Sequence, residues 1–471
     1  MSLSSAISIA QQAFSNTAQQ TAIVSKNIAN AGNADYSRRL ALLGSTANGA
    51  QVVSIYRAQN EALLKQSIAG MGEASGQARL REGLELMKSA LGGNSYETAP
   101  SKLLADFRNS LQTFAATPGN KTIAATAVSD AGDLADSLNK ASKSVQDMRE
   151  NADKEIALEV DKLNGLLAEF EKANNAVKAA TAQGSDPNDA LDQRDKILKQ
   201  VSEIVGISTT TRANNDTVIF TTDGTVLFET IPRSVTFASQ NVYDATTVGN
   251  KIYVDGVPIA AGTGADTTAK GKLAALVQLR DDVGPKFQSQ LDEIARGLVT
   301  MFQEGGQPGL FTWGTAGIPP VGIVPGMASK ITVNALAKAD PLMLRDGGFD
   351  GTSNNPTGNA GYTALLDGFI NAMGENMAFD PASGLDSNSN ILNFATSSVG
   401  WLEQFRKTAS TADDNKSALL SRTAEALSKQ TGVSIDEELS LLLDLEQSYK
   451  ASAKLVSTVD AMMAALMEAV R

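Results

Sequence analysis

The sequence predicts an α+β fold that is mostly α: a discontinuous axial helical bundle, or coiled coil, built from both chain termini, with an inserted β-rich domain. Three observations carry this expectation. All 13 prolines of the 471-residue chain lie between Pro100 and Pro381, so both ends are free of the strongest helix breaker. Apolar residues recur at alternating four- and three-residue steps near both ends. Between them, after Gly206, the period changes from helical to strand-like.

The first segment puts Leu3, Ile7, Ala10, Phe14, Thr17, Thr21, Val24 and Ile28 on one seam. The stretch SKNIANAGNADYSRR, residues 25–39, then stops that helix. Ser25 to Ile28 finish it, and Asn30 to Asn33 supply turn-tolerant residues around Gly32. Residues 75–205 read as largely helical, with a seam of Val145, Met148, Ala152, Ile156, Val160, Leu163, Leu167 and Phe170 set among Lys and Glu. A further helix starts at SDPNDALDQRD, with Asp186 as N-cap, Pro187 at the first helical position, and Asp189 and Asp192 favoured by the helix dipole.

DTVIFTTDGTVLFET then sets Asp223-Gly224 between two β-branched and aromatic runs, which predicts a hairpin. KIYVDGVPIA repeats the signal at Asp255-Gly256, with Pro258 confining its strand to an edge. Helical periodicity returns over residues 271–303, interrupted near Gly284-Pro285. Residues 304–390 hold seven of the 13 prolines and read as loop-rich. Helix resumes near Leu392 and ends in the strongest seam, Leu442, Leu445, Tyr449, Ser452, Val456, Val459, Met463, Leu466 and Val470. Each large apolar side chain gains roughly 1.5–3 kcal/mol on burial, so this stripe requires a partner: the other terminus, another subunit, or both. The expected domains are a terminal coiled coil (1–60 and 431–471), a helical bundle (61–205, 268–303 and 391–430) and a β-rich, loop-rich outer domain (206–267 and 304–390).

Composition removes most chemistry. The chain has no His and no Cys, which excludes Ser-His-Asp and Cys-His nucleophiles, structural zinc sites and disulfides. A net charge of −12 opposes a nucleic-acid partner, because phosphate binding rests on clustered Lys and Arg. No apolar run is long enough to span a membrane. MSLSSAISIAQQAF lacks the basic and apolar regions of a cleavable signal peptide, so a chain that leaves the cytosol is expected to do so by a route that keeps its N-terminus. No catalytic residue, cofactor or metal site is expected. Asp192 and Asp195 around Arg194 read as a surface charge network, and so do Arg280-Asp281-Asp282. The oxygen-rich loops DGGFDGTSNN and FDPASGLDSNSN lack calcium-loop spacing and read as solvated turns. Arg38 and Arg39 are too few for a phosphate site and read as an inter-segment ion pair or hydrogen bond.

The opening stretch SKNIANAGNADYSRR resembles the N-terminal motif of the bacterial flagellar rod, hook and hook-associated axial proteins. The closing DEELSLLLDLEQSYKASAKLVSTVDAMMAAL is similar to the same family's C-terminal motif, here Asp436, Glu437 and Glu438, then Gln447, Tyr449, Ala451 and Ala453. ALDQRDKILKQVSEIVGI and GKLAALVQLRDDVGPKFQSQLDEIA resemble the hook-associated branch that forms the hook–filament junction. Asp35 departs from the Gly more usual before the aromatic. The resemblance implies a non-enzymatic structural subunit exported by the flagellar type III apparatus to an extracellular position. It implies a ring of about eleven subunits, in contact with the hook protein and the second junction protein, and an export chaperone at the C-terminal segment. Subunit assembly then falls to Leu3, Ile7, Phe14, Val24, Asn27, Ile28, Asn30, Tyr36, Arg38, Arg39, Leu442, Leu445, Tyr449, Val456, Val459, Met463 and Leu466. Tyr36, Arg38 and Arg39 would anchor the next segment against a neighbouring subunit, and the seams would fold on assembly. The alternatives are the hook or second junction protein of the same family, a secreted adhesin-like β-domain protein, and a carboxylate-based muramidase.

Overall fold

The computed structural model describes residues 3–46, 49–315 and 317–469; the side chain of Leu3, and Val470, lie outside the described residues. In chain order the elements are α1 (Leu3–Ala29), β1 (Arg39–Thr46), β2 (Gly49–Arg57), α2 (Glu61–Ala90), α3 (Pro100–Ala116), α4 (Lys121–Gln183) and α5 (Asn188–Ile204). Strands β3 (Ile207–Thr211), β4 (Thr217–Thr221), β5 (Val226–Phe228), β6 (Val235–Thr236), β7 (Tyr253–Val254) and β8 (Val257–Pro258) follow. Next come α6 (Lys272–Gln278), α7 (Gly284–Met301), β9 (Phe311–Thr312), β10 (Thr332–Val333), α8 (Ala335–Ala339), α9 (Met343–Asp346) and α10 (Ala364–Ala372). The chain closes with β11 (Met377–Ala378), β12 (Asn388–Ser389), α11 (Ile391–Thr431) and α12 (Ile435–Ala469). Helix accounts for 62% of the structure, an α+β fold that is mostly α.

The chain divides into two compact units. The first is Met1–Gly72, Lys162–Ser234 and Lys416–Arg471; the second is Glu73–Asp161 and Val235–Asn415. In the first unit α1 packs against α12. Phe14 meets Tyr449 edge-on at 4.9 Å, and Asn27 reaches Glu438, so the two helices run antiparallel. The buried residues of α12 are Glu438, Leu445, Ser452 and Val459, a strict step of seven. Among the buried residues of α1, Ala10, Thr17 and Val24 recur at the same step, with Ile23 and Asn27 buried beside them. Small residues on both sides make this seam narrow. The terminal helices pair with each other within one chain. The same unit packs Phe170 of α4 against Phe228 of β5 at 4.9 Å, over the three-stranded sheet β3-β4-β5.

Two local expectations need correction. The first 60 residues contain the antiparallel hairpin β1-β2, paired from Arg39↔Arg57 to Thr46↔Gly49. A sequence signal was available in Asn48-Gly49, a dipeptide favoured in hairpins, and Gly49 begins β2 at positive φ. The helix over 271–303 also runs on through Gly284-Pro285, by way of a π-helical turn at Leu279–Val283. There the N–H of Gly284 bonds the carbonyl of Leu279, and Pro285 has no N–H to offer Arg280. The Arg280 carbonyl accepts instead from Nε of Arg149, at 2.8 Å.

The second unit holds an extensive core, including the aromatic cluster Phe107, Phe302, Phe311 and Phe369, with centroids 4.5–5.8 Å apart along its contacts. Arg280-Asp281-Asp282 is no surface network, because Arg280 is fully buried. It binds Asp153 at 2.7 Å and the Asn250 carbonyl at 2.7 Å, while Arg149 holds the carbonyls of Asp244 and Thr247. Both predicted Asp-Gly hairpins form, β4-β5 with Gly224 and β7-β8 with Asp255 and Gly256 at positive φ, and β8 is an edge strand as Pro258 requires. Phe107→Ala should destabilise this unit by about 3–5 kcal/mol, read as a lower denaturant midpoint at unchanged slope.

Candidate functional site: a joint between distant segments

The residues that the sequence singled out at 25–39 gather into one buried polar cluster. Helix α1 ends at Ala29, and Asn30 closes it by donating from Nδ2 to the Lys26 carbonyl at 2.8 Å. Gly32 has no positive φ, so the turn does not use its freedom. Asn27 is 1% exposed, and its amide is saturated. Nδ2 donates to the Arg39 carbonyl (2.9 Å) and to Glu438 Oε2 (3.1 Å); Oδ1 accepts from the Arg39 N–H (2.9 Å) and the Tyr36 hydroxyl (2.8 Å). No other common side chain offers two donors and two acceptors in this geometry except Gln, which is one methylene longer.

Arg39 is also buried. It donates to Asp192 Oδ2 (2.6 Å), Asp189 Oδ1 (2.9 Å) and the Ser37 carbonyl (2.7 Å), and it stacks over Tyr36 at 4.6 Å. Cross-strand from it stands Arg57, a like-charge pairing that would destabilise the hairpin by itself. Asp192 resolves this by accepting from Arg57 at 3.0 Å through its other oxygen, and Asp195 accepts from Arg57 at 2.7 Å. Asp189, Asp192 and Asp195 recur every three residues, so they share one face of α5. The expected surface network at LDQRD is therefore a buried one. Arg194, also buried, turns to Asn174 and the Asn215 carbonyl. Helix α5 starts at Asn188, one residue later than predicted, so Pro187 and not Asp186 is its N-cap, and Asp186 just before it accepts from the Asn188 N–H at 2.9 Å.

Arg38 is half-buried and donates to Glu438 (2.6 Å) and Glu437 (2.9 Å) of α12. Its N–H bonds the Thr431 carbonyl. The anchors Tyr36, Arg38 and Arg39, expected against a neighbouring subunit, thus find partners within their own chain. Asp35, the departure from the motif, reaches Lys199 at 3.3 Å. Burial pushes the Tyr36 hydroxyl up to about 12, opposed by Arg39. Burial likewise raises the Asp195 carboxyl, opposed by Arg57, whereas the Lys26 hydrogen bond lowers Asp189.

Of the other singled-out residues, Val24, Leu445 and Val459 are buried, Ile7, Phe14, Ile28, Leu442 and Val456 are partly covered, and Tyr449, Met463 and Leu466 are exposed. Sequence reasoning missed Arg57 and the role of Glu438, which is fully buried. The three-residue repeat of acids on α5 was the available signal, since it asks for a cationic counterpart. Beside the joint lies a groove of about 1260 Å³ bordered by Tyr36, Arg57, Asp192 and Asp195. Among the described residues no group of three or more acidic side chains is placed to hold a metal ion, and no helix is long and apolar enough to cross a membrane.

The ion pairs of this cluster link α1, the hairpin, α5 and α12, the arrangement of a protein whose distant chain segments fold together. Comparison with known proteins gives the particular family. Residues 84–319, half of the chain, match the family described as flagellar hook-associated protein FlgK helical domain, and residues 426–469 match the flagellar basal body rod FlgEFG protein C-terminal family. Flagellar hook-associated protein 1 of Bacillus subtilis is 22% identical over 512 residues, covering 97% of this chain and 94% of that protein. The Escherichia coli protein of the same name is 22% identical over 322 residues, 65% of this chain and 57% of its own. The flagellar hook junction protein FlgK of Burkholderia pseudomallei aligns structurally with a TM-score of 0.43 and 18% identity, over 53% of this chain and 47% of that one. The chain belongs to the flagellar hook-associated protein FlgK family.

Asn27→Ala leaves four buried groups without their partner and should cost on the order of 3 kcal/mol, whereas Asn30→Ala should stay within about 0.5 kcal/mol; thermal melts of the two variants check this. Asp189 titrates below its unfolded value, so its contribution is present at neutral pH and lost as pH falls through the folded pKa. Asp189→Asn should accordingly flatten the loss of stability on acidification below about pH 4, measured by denaturant unfolding across pH.

Proposed function

We propose that this chain is a structural subunit of the bacterial flagellum that joins hook to filament. The observation that carries the reading is the joint itself, which ties the Asn27–Arg39 motif to the acidic start of α12 in a chain of the hook-associated family. The exposed face of α12 supports assembly. Leu443, Leu455, Met462, Met463, Leu466 and Met467 are each about half exposed or more, apolar surface that one chain leaves uncovered, with Leu466 continuing the seven-residue ladder past Val459. On this reading the subunits form a ring of about eleven, touching the hook protein on one side and the second junction protein on the other.

An export chaperone would hold the C-terminal segment beforehand, and the flagellar type III apparatus would carry the chain to its extracellular position. The three-part division into terminal coiled coil, helical bundle and outer β-rich domain belongs to the same proposal. So does a role without catalysis. In the groove beside the joint Asp192 and Asp195 are both bound to Arg57, which supports a structural rather than an acid/base use of those carboxylates.

A strain lacking the gene should build hooks without filaments and release filament subunits into the medium. Wild-type protein should restore motility, and Leu455→Glu with Leu466→Glu should not, although the purified variant keeps its circular dichroism spectrum. Full-length filaments in the deletion strain would refute the assignment.

A further inference from the structure

The chain leaving α7 turns back at once. Glu304 and Gln307 each donate a backbone N–H to the other's carbonyl, at 2.9 and 2.8 Å, around Gly305 and Gly306, both at positive φ. A second loop, residues 346–355, closes onto this turn, because Glu304 Oε2 accepts from the N–H groups of Gly348 (2.9 Å) and Phe349 (3.2 Å). The sequence reads that loop, DGGFDGTSNN, as a solvated turn, yet its anchor is not solvated. Glu304 is 6% exposed, and its other oxygen, Oε1, is buried with no hydrogen-bond partner among the described residues.

No positive side chain answers this carboxylate. Among the described residues neither Glu304 nor Asp350 pairs with a Lys or Arg, and the nearby Arg345 is taken by Asp346 and by the carbonyls of Pro118 and Ala360. A buried carboxylate without a cation is costly. Asp350 brings a second negative charge to the same place: its Oδ1 accepts from the Thr352 N–H at 2.8 Å, and its Oδ2 lies over Gly305, where any side chain would overlap it. Burial raises the Glu304 carboxyl, opposed by the two loop N–H groups and reinforced by Asp350. The Asn354 carboxamide comes close as well, since a β carbon on Gly347 would collide with it and would stand 3.1 Å from Glu304 Oε2. Two carboxylates and an amide therefore converge where the chain supplies no positive charge, and two glycines make room for them.

We propose that Glu304, Asp350 and Asn354 form a binding site for one calcium ion, which ties the 346–355 loop to the turn after α7. Calcium takes carboxylate, amide and water oxygens in irregular geometry, whereas magnesium demands a near-ideal octahedron. Glu304 Oε1 supplies the buried donor, Asp350 an exposed one, the Asn354 carboxamide, turned oxygen-inward, a neutral one, and water the rest. With only two charged donors the affinity belongs to the weak class, a Kd of about 10⁻⁴–10⁻³ M. The site lies within the second unit and does not rest on the flagellar reading.

Titration calorimetry and hydrogen–deuterium exchange of the full-length protein, freed of divalent ions by a chelator, test it. Calcium chloride should bind at one site per chain with a Kd in that range and slow exchange of the amides of residues 346–355, and magnesium chloride at the same concentration should do neither. Asp350→Asn, at an exposed position and with the acceptor for Thr352 kept, should raise the Kd at least about tenfold, because affinity follows ligand charge. Glu304→Gln should do the same while keeping an acceptor for Gly348 and Phe349. Absence of calcium binding to the wild-type protein overturns the site, and so does equal slowing of the loop by magnesium. Calcium binding that persists at wild-type affinity in Asp350→Asn also overturns it, as an adventitious ion only. So does a loop slowed by acid and not by calcium, because a proton would then take the place of the ion.

Discussion

The first unit depends on one carboxylate between two arginines. Asp192 binds Arg39 with one oxygen and Arg57 with the other, and those arginines face each other across the first pair of the hairpin. Without it the pair would be two like charges held together in a buried position. With it, the base of the hairpin is fastened to α5, some 150 residues along the chain. Removing such charges from water is costly, and ion pairs offset much of that cost: Asp189 and Asp195 complete the carboxylate side, Ser37 accepts from Arg39, and the buried Nε of each arginine is left without a partner.

From that point outward the interactions weaken in a graded way. The joint is polar, dense and closed. The α1–α12 seam is a ladder of small residues with Leu445 and Val459 among them, and it covers only one side of α12. Beyond it the leucines and methionines of α12 are exposed. A helix buried on one narrow stripe takes little stability from its own chain, which is the physical setting for a subunit whose end regions complete their packing with other molecules.

The second unit solves a similar problem by the same means. Its segment around residues 240–250 has little regular structure, and its carbonyls are taken by Arg149 and Arg280, of which Arg280 is held by Asp153 and Asp281 and Arg149 by Gln146. Arginine can do this because one planar group offers five donors and keeps its charge when buried. In a chain with no Cys and no His, disulfides and zinc sites are absent from the repertoire, and buried arginines pin the irregular segments in their place.

Much of this was legible in the residues alone. Periodicity and the placement of proline determined that both ends are helices with seams, and the Asp-Gly pairs located two hairpins, since these depend on local backbone preference and on a repeat of three or four residues. The third seam, from Val145 to Phe170, is buried at all eight positions. What sequence could not decide is which charges meet. Asp192 and Asp195 look like ordinary acids of a surface helix, and their partners Arg39 and Arg57 are more than 130 residues away. Burial, and with it the difference between a solvated charge and a structural one, is a property of packing between distant segments. The same limit applied at Pro285, where a local rule predicts a break and a distant arginine supplies the missing bond. Local pattern determined the elements; only the tertiary structure decided that the motif at residues 25–39 closes on its own chain, because the repeat of acids on α5 asks for cationic partners without naming which distant arginines supply them.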